Sequence, residues 1–228
     1  MADLFGEDGA QETIVEVRPT QRDANRATIR VGVAGAKTKP RVVATLNSRS
    51  IADLDLRVGQ AWTDALARRV EAGVGYDKAM RAAMSRLGRR SMSGWMLRDK
   101  LKTLGHASAV IDAVLERLAE LDLLDDEKFG RALVRDVMAR KPAGPALLKQ
   151  KLYQKGIRGS LADRLIAEAT ADGDEQRDAA IAFARKKAAS MANLDRVVRE
   201  RRLYGQLARR GFGPDTIRAA MDAVKRGD

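Results

Sequence analysis

Leu97-Arg98-Asp99-Lys100-Leu101-Lys102-Thr103-Leu104-Gly105 is echoed 51 residues later by Leu148-Lys149-Gln150-Lys151-Leu152-Tyr153-Gln154-Lys155-Gly156, and 55 residues after that by Leu203-Tyr204-Gly205-Gln206-Leu207-Ala208-Arg209-Arg210-Gly211. Two leucines four apart fall on one face of a helix, so each copy reads as a helix with a buried leucine stripe. The glycine four residues after the second leucine can adopt the left-handed conformation that closes a helix without a Cβ penalty.

A short link and another apolar-periodic segment follow each copy, carrying Val110, Ile111, Val114, Leu115 and Leu118, then Leu161, Leu165 and Ile166, then Ile217, Met221 and Val224. Ser160 with Asp163, and Pro214, fit helix starts. A further helix precedes each copy, over about 77–87, 126–139 and 175–189. In the second of these, Phe129, Leu133 and Val137 form the expected buried stripe, with Asp125 and Asp126 placed to cap it. The pattern predicts a mainly α fold of three tandem three-helix repeats, over 73–125, 126–173 and 174–228. Units of this kind bury their apolar faces partly against neighbours, which predicts an elongated, curved array.

The chain before the repeats reads differently. Residues 1–12 are acidic and lack an apolar core, and are expected to form a disordered leader. In residues 13–72, Thr13 to Arg18, Ala27 to Val33 and Arg41 to Leu46 alternate apolar and polar side chains in β-branched runs, the pattern of a small antiparallel sheet. Gly35 to Pro40 and Asp23 to Arg26 supply its turns. Ser50 and Asp53 have capping-box spacing for a short helix, and a longer helix is expected over 61–72 with Trp62, Leu66 and Val70 inward.

The 228 residues carry 43 Lys and Arg against 31 Asp and Glu, a formal charge of +12, and 34 of those 43 cations follow residue 60. That excess favours polyanionic partners through counterion release. Aromatic residues are 4% of the chain, there is no Cys, and His106 is the one histidine. Thiol catalysis and Cys-containing zinc sites are thereby excluded, and His106, next to the helix-closing Gly105, reads as a capping or exposed residue before any catalytic one. Asp125 and Asp126 are explained as helix caps before any metal role. Gly32 to Thr38 lacks the first glycine of a phosphate loop and precedes a strand, so it reads as a hairpin loop. Met92, Trp95 and Met96 read as a packing cluster. No cofactor, metal site or catalytic constellation is expected, and the chain is not read as an enzyme. No segment approaches about 18 uninterrupted apolar residues, and a cytoplasmic location is expected.

The copies with their surroundings resemble the RecX family. The resemblance rests on Arg90-Ser91-Met92-Ser93 leading into Leu97 and Leu101, and on Leu118-x-x-Leu121-x-Leu123-Leu124-Asp125-Asp126-x-x-Phe129. Lys151-Leu152-x-x-Lys155-Gly156-Ile157 and Leu207-x-Arg209-Arg210-Gly211-Phe212 carry it through the second and third repeats, and Lys186-Lys187 and Leu56-x-x-Gly59-Gln60 also fit. It covers residues 55–228 well and 13–54 loosely. The resemblance implies a monomeric modulator of the RecA recombinase, an inhibitor in most members. Such a protein lies in the groove of the RecA filament on single-stranded DNA, with duplex DNA a further partner, and alters ATPase and strand exchange. The basic residues recurring on the second helix of each repeat, Arg98, Lys100, Lys102, Lys149, Lys151, Lys155, Arg209 and Arg210, are the expected contacts. A helix-turn-helix-like regulator of duplex DNA and a helical protein scaffold are the alternative readings.

Overall fold

The computed structural model describes residues 11–226, so the leader expected over residues 1–12 lies almost wholly outside the described residues. Glu12, at its end, is buried and paired with Arg41 at 2.6 Å. The β-branched runs form β1 (Thr13–Pro19), β2 (Arg26–Gly32) and β3 (Arg41–Asn47). They make one antiparallel sheet in the order β1-β2-β3, with Ile14 opposite Val31 and Ile29 opposite Ala44. Alternation puts Ile14, Ile29, Val31, Ala44 and Leu46 on the buried face.

Ten helices follow among the described residues: α1 (Ser48–Asp53), α2 (Asp64–Leu87), α3 (Gly94–Thr103), α4 (Ser108–Glu120), α5 (Asp126–Arg140), α6 (Pro145–Gln154), α7 (Gly159–Ala169), α8 (Gly173–Ala189), α9 (Arg196–Arg209) and α10 (Pro214–Lys225). Two compact units divide the chain. One takes the chain up to Arg89 together with Lys100–Leu118, and the other takes Arg90–Asp99 together with Ala119 onward.

In the first unit the sheet packs on α2 through Leu66 and Val70, with Trp62 and Leu56 completing the cluster. Several local expectations change here. Asn47, not Ser50, caps α1 by accepting from the Ser50 N–H at 2.7 Å. Ser50 is buried inside α1 and donates its hydroxyl to Asp77 at 2.8 Å. Asp77 in turn accepts the Asn47 N–H at 2.6 Å, so a carboxylate in the middle of α2 ties down the turn from β3 into α1. Trp62 is buried but precedes α2, whose N-cap is Thr63. The helices expected over 61–72 and 77–87 are one 24-residue helix, and residues 72 and 73 lie inside it. Gly73 does not end it: its Cα face lies against Leu54 and Leu46, where even a Cβ would come within 3.2 Å of Leu54. Close packing on the sheet offsets the roughly 1 kcal/mol that glycine costs in a helix.

In the second unit, α5, α6 and α7 enclose Val134, Leu148, Leu152, Ile157 and Leu165. Similarly, α8, α9 and α10 enclose Ala184, Leu203, Leu207, Ile217 and Val224. The repeated leucines Leu97, Leu101, Leu148, Leu152, Leu203 and Leu207 are all buried, each contributing roughly 1.5–3 kcal/mol. The three glycines close their helices as the spacing requires, with φ of 82°, 79° and 78° at Gly105, Gly156 and Gly211. In each copy the N–H after the glycine, from His106, Ile157 or Phe212, donates to the carbonyl of Leu101, Leu152 or Leu207. That six-to-one bond is the Schellman closure. Two smaller differences appear. Gly130 and Val134 lie deepest on α5, rotated from the expected Phe129, Leu133 and Val137 stripe, which is only half-buried. α7 starts at Gly159 without a side-chain cap, so neither Ser160 nor Asp163 plays that role.

Candidate functional site

The second helix of each repeat, α3, α6 or α9, carries the expected basic residues in the helix or at its C-cap, and buries its leucine stripe. On α3, Arg98 and Lys102 are four apart and exposed, while Lys100 is half-buried. On α6, Lys149 is exposed and sits 3.3 Å from Asp163 and 5.5 Å from the Tyr153 ring centre. The hydrogen bond to Asp163 holds its ammonium above the ordinary lysine range. Lys151 and Lys155 are half-buried, and Arg209 on α9 is exposed. Aligning the leucines puts Lys149 at the position of Arg98 and Lys151 at that of Lys100, whereas Tyr204 and Gln206 stand there on α9. The basic register therefore repeats between α3 and α6 but not on α9, whose arginines stand at Arg196, Arg199, Arg201 and Arg202, ahead of Leu203, and at its end.

Two of the eight residues have a second task. Arg210 donates from Nε to the Pro142 carbonyl and from a terminal nitrogen to the Lys141 carbonyl, both at 2.6 Å. Its own carbonyl accepts from the Gly144 N–H at 2.8 Å, and burial pulls its guanidinium below the usual arginine range. Lys155 occupies the corresponding cap of α6, and its carbonyl accepts the Ser93 hydroxyl. Both contacts lie within the second unit and obey one rule: the start of α3 or α6 docks on the Gly-closed end of the next repeat's second helix. Trp95 lies across Gly156, where a Cβ would come within 2.2 Å of the Trp95 Cβ. At the second junction, a Cβ on Gly211 would come within 2.1 Å of the Leu147 nitrogen. Asp126, expected only to cap α5, accepts from the Gly94 N–H at 2.7 Å and so holds the start of α3. Asp125 is the cap of α5, accepting from Lys128 at 2.8 Å. Trp95 remains 48% exposed, so the cluster expected around it is only partly covered.

Sequence reasoning passed over two further features. Glu127, Arg131, Arg164 and Glu168 form a surface ion-pair network between α5 and α7, with Arg164 to Glu127 at 2.6 Å. Nothing in their spacing along the chain pairs residues 37 apart. In the first unit, Arg49, Arg69, Arg117 and Tyr76 border a cleft of about 440 Å³. No group of His, Cys, Asp and Glu among the described residues is arranged to hold a metal ion. No helix among them is long and apolar enough to cross a membrane.

Fold and surface together define a mainly helical tandem-repeat protein, with a small sheet ahead of three three-helix units whose second helices are basic. Comparison with known proteins makes this specific. Residues 79–118, 125–166 and 174–221 match the family descriptions of the first, second and third three-helix domains of RecX. The chain belongs to the RecX family. Regulatory protein RecX of Halorhodospira halophila is 33% identical over 158 residues, covering 69% of this chain and 95% of that protein. The one from Prosthecochloris aestuarii is 37% identical over 147 residues, covering 64% and 93%. A crystal structure of regulatory protein RecX, 19% identical, superposes with a TM-score of 0.79 over 92% of this chain and 99% of the other, which supports the fold.

Proposed function

We propose that this protein regulates the RecA recombinase by binding the RecA filament on single-stranded DNA, lowering its ATPase and strand-exchange activity from within the filament groove. Membership of a family of regulatory proteins carries the reading, and the charge distribution supports it. Basic side chains recur on α3, α6 and α9, so one chain presents cations at intervals to a surface lined by phosphates. Of the eight residues expected at this surface, the exposed Arg98, Lys102, Lys149 and Arg209 are the stronger contacts, and Lys151 is half-buried. Lys100 and Lys155 contribute from half-buried positions, and Arg210 acts chiefly in holding the repeat junction.

The test is RecA's DNA-dependent ATPase with and without stoichiometric protein, over a salt series. Inhibition is expected, with Lys102→Glu, Lys149→Glu, Lys151→Glu and Arg209→Glu together weakening it and flattening its salt dependence. Unchanged inhibition by the fourfold variant across the series would remove the basic helices from the mechanism. Tight binding to one duplex sequence without effect on RecA would favour the helix-turn-helix alternative.

A further inference from the structure

The cleft in the first unit is built from parts that none of the eight basic residues supplies. Arg49 comes from α1, Arg69 and Tyr76 from α2, and Arg117 from α4, while Leu54, Ala72 and Gly73 form an apolar wall. Its volume of about 440 Å³ is in the range of small-ligand sites. Arg49 and Arg69 are exposed at its rim, where Asp53 lies 3.6 Å from Arg49 with both side chains largely exposed. Ser50 also borders the cleft, but its hydroxyl is committed to Asp77. Tyr76 is half-buried. Burial raises its hydroxyl above the ordinary phenol range, and Arg49 and Arg117 are near enough to oppose that shift. The ring is therefore an uncharged phenol beside an apolar wall.

We propose that this cleft binds one nucleotide of a single-stranded nucleic acid, with Arg49, Arg69 and Arg117 on the phosphate and Tyr76 against the base. Guanidinium groups match phosphate oxygens in geometry, and a flat ring beside aliphatic side chains receives any base by stacking without reading its edges. An acidic peptide would meet the same charges but would leave the ring and the apolar wall without a planar partner. The site does not rest on the reading of α3, α6 and α9, and its test contains no RecA.

Full-length protein is titrated with a labelled single-stranded oligothymidylate, followed by anisotropy at several salt concentrations. Arg49→Ser with Arg69→Ser is expected to weaken binding about tenfold and to lower the salt slope by about 0.7, the share of the one phosphate contact. Tyr76→Leu is expected to weaken it about fivefold, and Tyr76→Phe to leave it within twofold. Ultraviolet cross-linking to an iodouracil-substituted strand is expected to label the peptide containing Tyr76. The exposed arginines are replaceable without loss of fold, so that pair carries the test even where Tyr76→Leu fails to fold. Affinity within twofold of the parent for the arginine pair, or cross-links only outside the cleft, would overturn the proposal. So would equal binding of a polyglutamate peptide lost in the same variants, which would assign the cleft to an acidic partner.

Discussion

Trp95 lies directly over Gly156, so that the last turn of α6 is closed by a residue with no side chain at the point where the indole rests. Ser93, two residues earlier, donates its hydroxyl to the carbonyl of Lys155, across 62 residues of sequence. Gly156 thus meets two demands at once, a φ of 79° and a surface with no room for a methyl group.

Gly156→Ala is expected to cost about 2–4 kcal/mol, combining left-handed backbone strain with overpacking. Gly105→Ala has the same backbone demand, at φ 82°, but nothing lies within 4 Å of the added carbon, so its cost is expected at about 1–2 kcal/mol. Urea melts of the two variants compare them, and equal losses would show that the indole contact adds nothing.

Arg209 and Arg210 are adjacent yet differ in role. Arg210→Ala removes two charge-assisted hydrogen bonds to the Lys141 and Pro142 carbonyls and is expected to lower stability by about 1–2 kcal/mol. Arg209→Ala, at an exposed position, is expected to leave stability within about 0.5 kcal/mol and to weaken filament inhibition. Thermal melts and the RecA ATPase, run on both variants, separate the two.

Asp77 is 3% exposed and accepts from the Asn47 N–H and the Ser50 hydroxyl. Asp77→Ala strands those donors and is expected to destabilise the protein by about 2–4 kcal/mol. Hydrogen exchange would be lost first at Asn47 and the start of α1. Protection there equal to that of the parent would show that the carboxylate is not what fixes the turn.

The carboxyls of Asp125 and Glu127 sit below their usual range, the first held chiefly by the Lys128 N–H and the second by the Arg131 side chain. A carboxyl lowered on folding stabilises the native state above its unfolded pKa of about 4, and that contribution fades as pH falls through the lower folded value. The urea midpoint is therefore expected to fall between about pH 5 and pH 3, and to fall less in Asp125→Asn than in the parent. A midpoint independent of pH in that interval contradicts the assignment.

Periodicity made the leucines legible because a buried stripe must recur every three or four residues whatever surrounds it. The closing glycines were legible for the same reason, since helix termination is a local event. What spacing could not show was which surface each closed end meets. Ser93 with Lys155, and Gly144 with Arg210, become neighbours only after the repeats have folded. That the helix expected over 61–72 runs on through Gly73 was not legible, because a glycine that admits close packing and one that ends a helix look alike in a string of letters. Among the eight basic residues, charge and helix position were readable, but the structural duty of Arg210 was not. The cleft escaped notice because Arg49, Arg69, Tyr76 and Arg117 come from three helices with no shared spacing.

The docking of each helix start on the closed end of the next repeat constrains which lengths of chain are admissible. Adding one residue between Leu152 and Gly156, or between Leu207 and Gly211, would turn the closing glycine by about 100° around the helix axis and swing it away from Trp95 or Leu147. Insertions and deletions should therefore be tolerated only outside these intervals. The extra four residues separating the third copy from the second, 55 against 51, leave both leucine-to-glycine intervals unchanged. Repeat length in this protein is free to drift, while the phase of each helix end is locked.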